Sequence, residues 1–260
     1  MDTRRYAKQS VRALCEICEC HFVNVFGDGA LEFVADPACM RPLGHGTYGS
    51  CHLVTVSNSQ WVIKTFPDTP INVLTLQTEI QALTALQNVP GLQKIIGVCP
   101  SKLTLLTEYA GESLDKYLQT HTCTIGQRLQ IVKQVTRTLL AVKERGWVHT
   151  DVKSGNICIQ NTPSGIRATL IDLGLSAPIG KFNRFPPGTK SPVYMAPEVV
   201  KNSPLTSQAD VYSMGRLLQT VVGVHHLSRD AQRWVSHAIN PVPNLRNDME
   251  VLSRILEIRT

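Results

Sequence analysis

The run His149-Thr150-Asp151-Val152-Lys153-Ser154-Gly155-Asn156, followed further on by Asp172-Leu173-Gly174, collects the residue types that phosphoryl transfer needs. Asp151 is a candidate base, able to orient an attacking hydroxyl and accept its proton. Lys153, two residues on, can neutralise charge that develops on a transferred phosphoryl group. Asn156 and Asp172 offer the hard oxygen ligands that magnesium prefers. Any one of these alone reads equally well as a polar turn residue; their joint order is what points to chemistry.

Upstream, Gly44-His45-Gly46-Thr47-Tyr48-Gly49 falls between two expected strands. Alone this pattern is weak, since its glycines could simply serve a hairpin. A dinucleotide site would need a helix directly after it, and Cys51 to Val56 reads as strand, which suits a flap closing over phosphates. Lys64 ends the strand Trp61-Val62-Ile63-Lys64, where a lysine is usually solvated. Glu79 changes that reading. It lies three residues after Leu76 and four before Leu83, so it shares their inward helix face. A carboxylate on an apolar face needs a partner, and Lys64 is a natural one. The pair would hold the ammonium where it can meet α- and β-phosphate oxygens.

Residues 1–38 read as an N-terminal extension in which Val11 to Val25 forms a helix packed on the main domain, punctuated by Gly27-Asp28-Gly29 and Asp36-Pro37. Leu43 to Phe66 reads as strand, glycine-rich turn, strand, turn, strand: Cys51, Leu53, Thr55 and then Trp61, Ile63, Thr65 alternate, with Asn58 in the turn. Val73, Leu76, Ile80 and Leu83 recur at helical spacing within Val73 to Leu86. Leu103 to Tyr109 is a short apolar strand. Beyond about Leu114 the chain reads as mostly helical, with Leu129, Val132, Val135, Leu139 and Val142 on one face and Gly146 as a helix stop. The change from strands to helices near residue 110 predicts two lobes with a cleft between them.

At 260 residues, with 43% apolar and 18% charged residues, the chain can bury a sizeable core, and a disordered chain is excluded. It contains no run long and apolar enough to span a membrane, and its polar start leads into no apolar signal core. The 8 cysteines are therefore expected as reduced thiols in an intracellular protein, cytoplasmic or nuclear. Cys15, Cys18, Cys20 and His21 cluster, but zinc needs four convergent ligands, which adjacent Cys20 and His21 cannot easily complete; helix-borne thiols are the expectation. The net charge of +6 comes without a dense basic run, so it reads as a solvated surface with spare Lys and Arg rather than a nucleic-acid footprint; an anionic nucleotide or an acidic substrate would suit it equally well.

From about Leu43 to Leu252 the chain resembles a eukaryotic-type protein kinase. The resemblance is carried by the glycine-rich turn, Val62-Ile63-Lys64, Glu79, the Asp151 loop and Asp172-Leu173-Gly174. It continues through Met195-Ala196-Pro197-Glu198 and Asp210-Val211-Tyr212-Ser213-Met214-Gly215. It implies an α+β, bilobal protein-kinase-like fold, with a small β-rich N-lobe holding one main helix and a mostly helical C-lobe. The extension would occupy residues 1–38 and the kinase domain residues 39–260, divided near residue 108. The implied cofactors are ATP and Mg2+, with Asn156 and Asp172 on the metal and Asp151, Lys153, Lys64 and Glu79 in the catalytic machinery. Leu43, Gly44, Gly46, Gly49, Cys51, Val62 and Lys64 would line the nucleotide. Thr107 would be the gatekeeper, Glu108, Tyr109 and Ala110 the adenine-binding hinge, and Cys158 would lie below the ring. The resemblance further implies a Glu198–Arg246 salt bridge. Lys153 resembles the serine/threonine branch, so the implied partners are proteins with serine or threonine acceptors. Ser191-Pro192-Val193-Tyr194 resembles the segment that seats the acceptor, with the Ser191 hydroxyl on Asp151 and Lys153.

Departures from that pattern carry their own expectations. Thr150 stands where most protein kinases carry an arginine that clamps an activation-loop phosphate. A phosphate on Ser176, Thr189 or Ser191 would thus have one fewer bidentate partner, which predicts activity independent of loop phosphorylation. Leu173 replaces a usual Phe, Val62 a usual Ala, and Cys51 a usual Val, which exposes Cys51 to an electrophile bound at the ATP site. The interval from Gly215 to Arg246 is short for the family, so a helix that often shapes a peptide-docking surface is expected to be trimmed. Compactness, the missing arginine and the Thr-Tyr glycine turn also resemble divergent kinases of large DNA viruses, the herpesvirus type among them. Two other readings stay open. One is a pseudokinase scaffold, whose usual mark is loss of the lysine or of either aspartate, all of which are present. The other is a small-molecule phosphotransferase, against which Ala196-Pro197-Glu198 and the Ser191 segment argue.

Overall fold

The computed structural model describes residues 3–36, 39–46, 49–183, 185 and 188–258; Thr47 and Tyr48 of the glycine-rich turn and Pro37 lie outside the described residues. Two compact units emerge: the chain up to Gln87 together with Gln93–Tyr109, and Asn88–Leu92 together with the chain from Ala110 onward.

In chain order the first unit holds helices α1 (Thr3–Cys20) and α2 (Asp28–Val34), and strands β1 (Arg41–Gly46), β2 (Gly49–Val56) and β3 (Ser59–Thr65). Helix α3 (Pro70–Ala85) and strands β4 (Ile95–Cys99) and β5 (Thr104–Glu108) complete it. The strands form one antiparallel sheet in the order β1-β2-β3-β5-β4. Ser57 and Asn58 both take positive φ in the β2–β3 turn, the twist that a two-residue hairpin requires. Register decides the two faces. Cys51 lies opposite Lys64 and Gly44, and Val62 lies opposite Leu53 and Thr107, so these residues share one face. The other face carries Val54, Ile63 and Leu106, which cluster with Leu31 of α2 and with Cys99. Helix α3 begins at Thr69, whose hydroxyl accepts from the Asn72 N–H at 3.4 Å, with Pro70 in the first turn.

The helix expected over Val11 to Val25 ends earlier, at Cys20. Phe22 takes a left-handed φ of 54°, and the chain then runs beside β4. The Phe26 N–H donates to the Val98 carbonyl at 2.8 Å and the Val98 N–H to the Asn24 carbonyl at 2.9 Å. β4 is an edge strand with open backbone groups, and Val23, Val25 and Phe26 favour extended backbone, so sheet extension outcompetes the last helical turn.

The second unit begins with β6 (Glu112–Ser113), α4 (Leu114–Thr120) and α5 (Ile125–Glu144), followed by β7 (Trp147–Val148), β8 (Ile157–Thr162), β9 (Gly165–Leu170) and β10 (Ala177–Pro178). It continues with α6 (Pro197–Val200), α7 (Gln208–Leu217), α8 (Arg229–Ala238) and α9 (Met249–Glu257). A reciprocal cap starts α5: the Gln127 N–H reaches Thr124 Oγ1 at 3.2 Å and the Thr124 N–H reaches Gln127 Oε1 at 2.9 Å. The expectation of mostly helix beyond Leu114 overlooks the three-stranded sheet β6-β8-β9. Ile166, Ala168 and Leu170 are buried in alternation, the strand period, in a stretch too short for the helical reading.

The Glu198–Arg246 pair is present, as two parallel hydrogen bonds of 2.5 and 2.8 Å between buried side chains, with the guanidinium 5.0 Å from the Tyr212 ring centre. Between Gly215 and Arg246 the chain forms a π turn (Leu218–Val222), a 3-10 turn (Val224–His226) and α8. Among the described residues no helix is long and apolar enough to cross a membrane.

Candidate active site

In the first unit, Lys64 near the end of β3 places Nζ 2.8 Å from Glu79 Oε2. Glu79 is only 1% exposed and sits among Leu76, Ile80 and Leu83 on the buried side of α3. A carboxylate so enclosed is tolerable with an opposite charge at hydrogen-bond distance, as the helical spacing implied. The Lys64 ammonium also lies 5.0 Å from the Phe66 ring centre. Leu43, Gly44 and Gly46 lie on β1, Gly49 and Cys51 on β2. A Cβ on Gly49 would fall 2.1 Å from the Thr65 carbonyl oxygen, so only glycine lets β2 start this close to the residue after Lys64.

Val62 and Cys51 share the Lys64 face, and Thr107 is buried on it. The Thr107 hydroxyl accepts from Gln93 Nε2 at 2.9 Å, a partner that no sequence motif marked. Glu108 is exposed and 3.7 Å from Lys94. Its N–H donates to the Lys94 carbonyl and the Tyr109 N–H to the Gln60 carbonyl, both at 3.0 Å; Ala110 follows.

In the second unit the loop between β7 and β8 is built around Asp210 of α7. Its carboxylate accepts the His149 N–H at 2.9 Å and the Thr150 N–H at 2.8 Å, holding Thr150 at a positive φ of 66°. Burial pushes the Asp210 carboxyl up, against the opposing pull of the two N–H groups. His149 Nδ1 accepts from the Asp151 N–H at 3.3 Å, so Nε2 carries the proton and donates to the Ile171 carbonyl at 3.1 Å. Asp151 is buried, and its Oδ2 accepts from Lys153 Nζ at 2.7 Å and from Asn156 Nδ2 at 2.8 Å. Asn156 Nδ2 also donates to the Asp151 carbonyl at 2.9 Å, which leaves the amide oxygen as the atom to offer a cation. The Ile171 N–H donates to the Asn156 carbonyl at 2.9 Å and so brings Asp172, at a φ of 65°, beside Asn156. Leu173 is fully buried, and Cys158 is buried on β8 opposite Ser113 and Thr169.

Burial works to lower the Lys153 pKa; the Asp151 carboxylate and Tyr194 outweigh it, and the ammonium is held above its ordinary value. The Tyr194 hydroxyl lies 3.4 Å from Lys153 Nζ, with the ammonium 5.1 Å from the ring centre. Burial, then the Asp151 charge, raises the Tyr194 phenol. This corrects the expectation for Ser191, whose hydroxyl donates instead to the Met195 carbonyl at 2.9 Å. Tyr194 reaches further and gives the ammonium both an acceptor and a ring face. Ser176 is buried and bonds to the His149 carbonyl at 3.3 Å, so of the three hydroxyls considered for loop phosphorylation only Thr189 and Ser191 are exposed.

The Thr150 hydroxyl donates to the Leu175 carbonyl at 2.8 Å, while Asn183 Nδ2 reaches the same carbonyl at 3.2 Å and Thr150 Oγ1 at 3.4 Å. Neutral hydrogen bonds thus tie down the segment after Asp172. Cys15, Cys18 and Cys20 all lie on α1, and among the described residues no group of three or more His, Cys, Asp or Glu could hold a metal ion.

The family model for the protein kinase domain matches residues 38–252. The salt tolerance receptor-like cytoplasmic kinase 1 of Oryza sativa subsp. japonica is 25% identical over 87% of this chain and 67% of its own length. The L-type lectin-domain containing receptor kinase V.5 of Arabidopsis thaliana is 30% identical over 69% of this chain and 29% of its own length. The dual specificity testis-specific protein kinase 1 of Mus musculus is 27% identical over 73% of this chain and 32% of its own length. The chain therefore spans less than a third of the last two relatives. Since the family model covers residues 38–252 of the 260, the chain belongs to the protein kinase domain family.

Proposed function

We propose that the chain is a serine/threonine protein kinase that moves the γ-phosphoryl group of ATP to hydroxyls of protein substrates. One observation carries the reading: the buried Asp151 carboxylate, held by Lys153 at 2.7 Å and Asn156 at 2.8 Å. In the proposed step the acceptor oxygen bonds to the γ-phosphorus, the β–γ bridging oxygen leaves with ADP, and the acceptor proton passes to Asp151. Lys153 keeps its positive charge beside the transferring group. Lys64, steadied by Glu79, engages the phosphates.

The donor set suits magnesium: Asn156 presents an amide oxygen because its nitrogen already serves Asp151, and Asp172 adds a carboxylate. Bound there, the metal would neutralise phosphate charge. The N–H groups of Glu108 and Tyr109 are used within the first unit, so adenine would be read by the Glu108 carbonyl and the Ala110 N–H. Leu43, Gly44, Gly46, Gly49, Cys51, Val62 and Thr107 are the proposed remaining contacts from the first unit, with Cys158 a further one. Lys153 in the Asp151 loop supports serine and threonine as acceptors. We assign the catalytic domain to residues 39–260, with residues 1–38 as an extension. The free thiols of the chain support an intracellular setting.

The test is incubation with γ-labelled ATP, with and without magnesium, followed by phosphoamino-acid analysis, with Lys64→Met as control. Magnesium-dependent label on serine or threonine, absent from the control, is expected. Label on tyrosine alone would overturn the acceptor assignment. No magnesium-dependent label on the chain or on a peptide library would overturn the enzyme and favour the scaffold reading.

A further inference from the structure

The Lys64–Glu79 contact depends on where α3 sits, and α3 is covered on more than one side. Val73, Leu76, Glu79, Ile80 and Leu83 form its sheet-facing stripe, yet Thr75 and Ala82 are buried as well. At roughly 100° per residue the buried arc reaches about halfway round the helix, wider than one sheet face covers. The second cover is α1, which packs against α3 and the 3-10 turn Pro100–Lys102. Among its residues from Gln9 onward, the buried ones, Ser10, Leu14 and Cys18, recur every four positions, one stripe on one face, and Leu14 and Cys18 have no exposed surface. Burial, with Cys15 and Glu19 nearby, pushes the Cys18 thiol up to about 11, so it packs as a neutral, apolar group.

The chain leaving α1 is fixed to the same sheet. Besides the backbone bonds of Asn24 and Phe26 to Val98, Asn24 Nδ2 donates to the Ile96 carbonyl at 3.0 Å, and the Ser101 hydroxyl donates to the Asp28 carboxylate. Gly97 makes this fit possible. A Cβ there would lie 2.4 Å from a Phe26 ring carbon and 2.6 Å from the Asn24 carbonyl oxygen, so any side chain would drive the segment off the edge. Helix α1 therefore has a fixed anchor on the sheet and a packed stripe against the helix that carries Glu79.

We infer that Leu14 and Cys18 are positioning residues for the Lys64–Glu79 pair: α1, anchored at the β4 edge, braces α3 so that Glu79 stays on Lys64. The phosphate-transfer consequence rests on the proposed function; the brace itself does not.

The test uses the full chain. In Leu14→Ala, amide hydrogen exchange across Pro70–Ala85 is expected to accelerate about tenfold or more, while α5 amides stay unchanged. The kcat for transfer should fall about tenfold, Leu14→Met should restore it, and Leu14→Ala should cost nothing further in a Glu79→Gln background, since both changes act through one contact. Gly97→Ala provides a second route to the same loss should Leu14→Ala fold poorly. Unchanged α3 exchange in both variants would overturn the brace, as would an equal fold-loss with and without Glu79. Should the wild-type chain transfer no phosphate at all, the enzyme reading falls and the exchange measurement alone decides the brace.

Discussion

Replacing Glu79 with glutamine removes one charge and almost no volume. At the observed 2.8 Å, with an effective dielectric of about 20, the gross attraction between Lys64 and Glu79 is about 6 kcal/mol. The amide oxygen of glutamine still accepts a hydrogen bond from the ammonium, which recovers about 1.5–3 kcal/mol. The Lys64 side chain is 14% exposed, so water replaces little of the rest. The net loss in holding the ammonium in place is on the order of 3 kcal/mol, in line with breaking a buried pair from one side. If Lys64 acts on phosphates in the transition state, that loss lowers kcat/KM for ATP roughly a hundredfold. Steady-state kinetics over an ATP series, with the melting temperature measured alongside, reads it out. A Glu79→Gln enzyme that keeps kcat/KM for ATP within about twofold of wild type, while folded, would refute the reasoning.

Other consequences are equally concrete. Phosphatase-treated wild type should retain its activity, because Thr150 and Asn183 secure the segment after Asp172 without a phosphate; complete loss on treatment would contradict this. Asn183→Ala, which removes two neutral hydrogen bonds, should lower kcat about three- to tenfold, and an unchanged kcat would show that the tether is idle. Glu198→Ala leaves the buried Arg246 guanidinium unpaired and should cost about 3–5 kcal/mol in urea unfolding, a shift whose absence would deny the bridge its structural role. Lys153 has a folded pKa above its ordinary 10.5, so its contribution to stability is intact below 10.5 and fades as pH rises through the folded value. The stability gap between wild type and Lys153→Met should be equal at pH 7 and 9 and close only above 10.5; a gap already shrinking by pH 9 would argue against the Asp151 contact.

What the sequence made legible follows from the range of the forces involved. The Lys64–Glu79 pair could be anticipated because a lone carboxylate on a helical apolar stripe demands a counter-charge, and local periodicity reveals the stripe. Cys51, Val62 and Thr107 enter through the family resemblance, and the face they share is fixed by the register of β2, β3 and β5, which no single strand encodes. The early end of α1 depends on an edge strand more than seventy residues away, at Val98, which no local pattern signals. The β8–β9 hairpin was hidden because short apolar runs fit helix and strand alike. Tyr194 was in view, but a hydroxyl with a ring face outbids a serine for an ammonium only once both are placed in space. Gln93 on Thr107 and Asn183 on Thr150 are side-chain bonds across loops, made by residue types common in any loop.

The most direct measurement is the rate of phosphoryl transfer from magnesium-ATP to a serine- and threonine-containing peptide library by wild type and by Asp151→Asn. Asparagine preserves the shape of the side chain and cannot accept the proton, so the rate should fall by about 10²–10⁴-fold. An Asp151→Asn protein that transfers phosphate as fast as wild type would contradict the account at its centre.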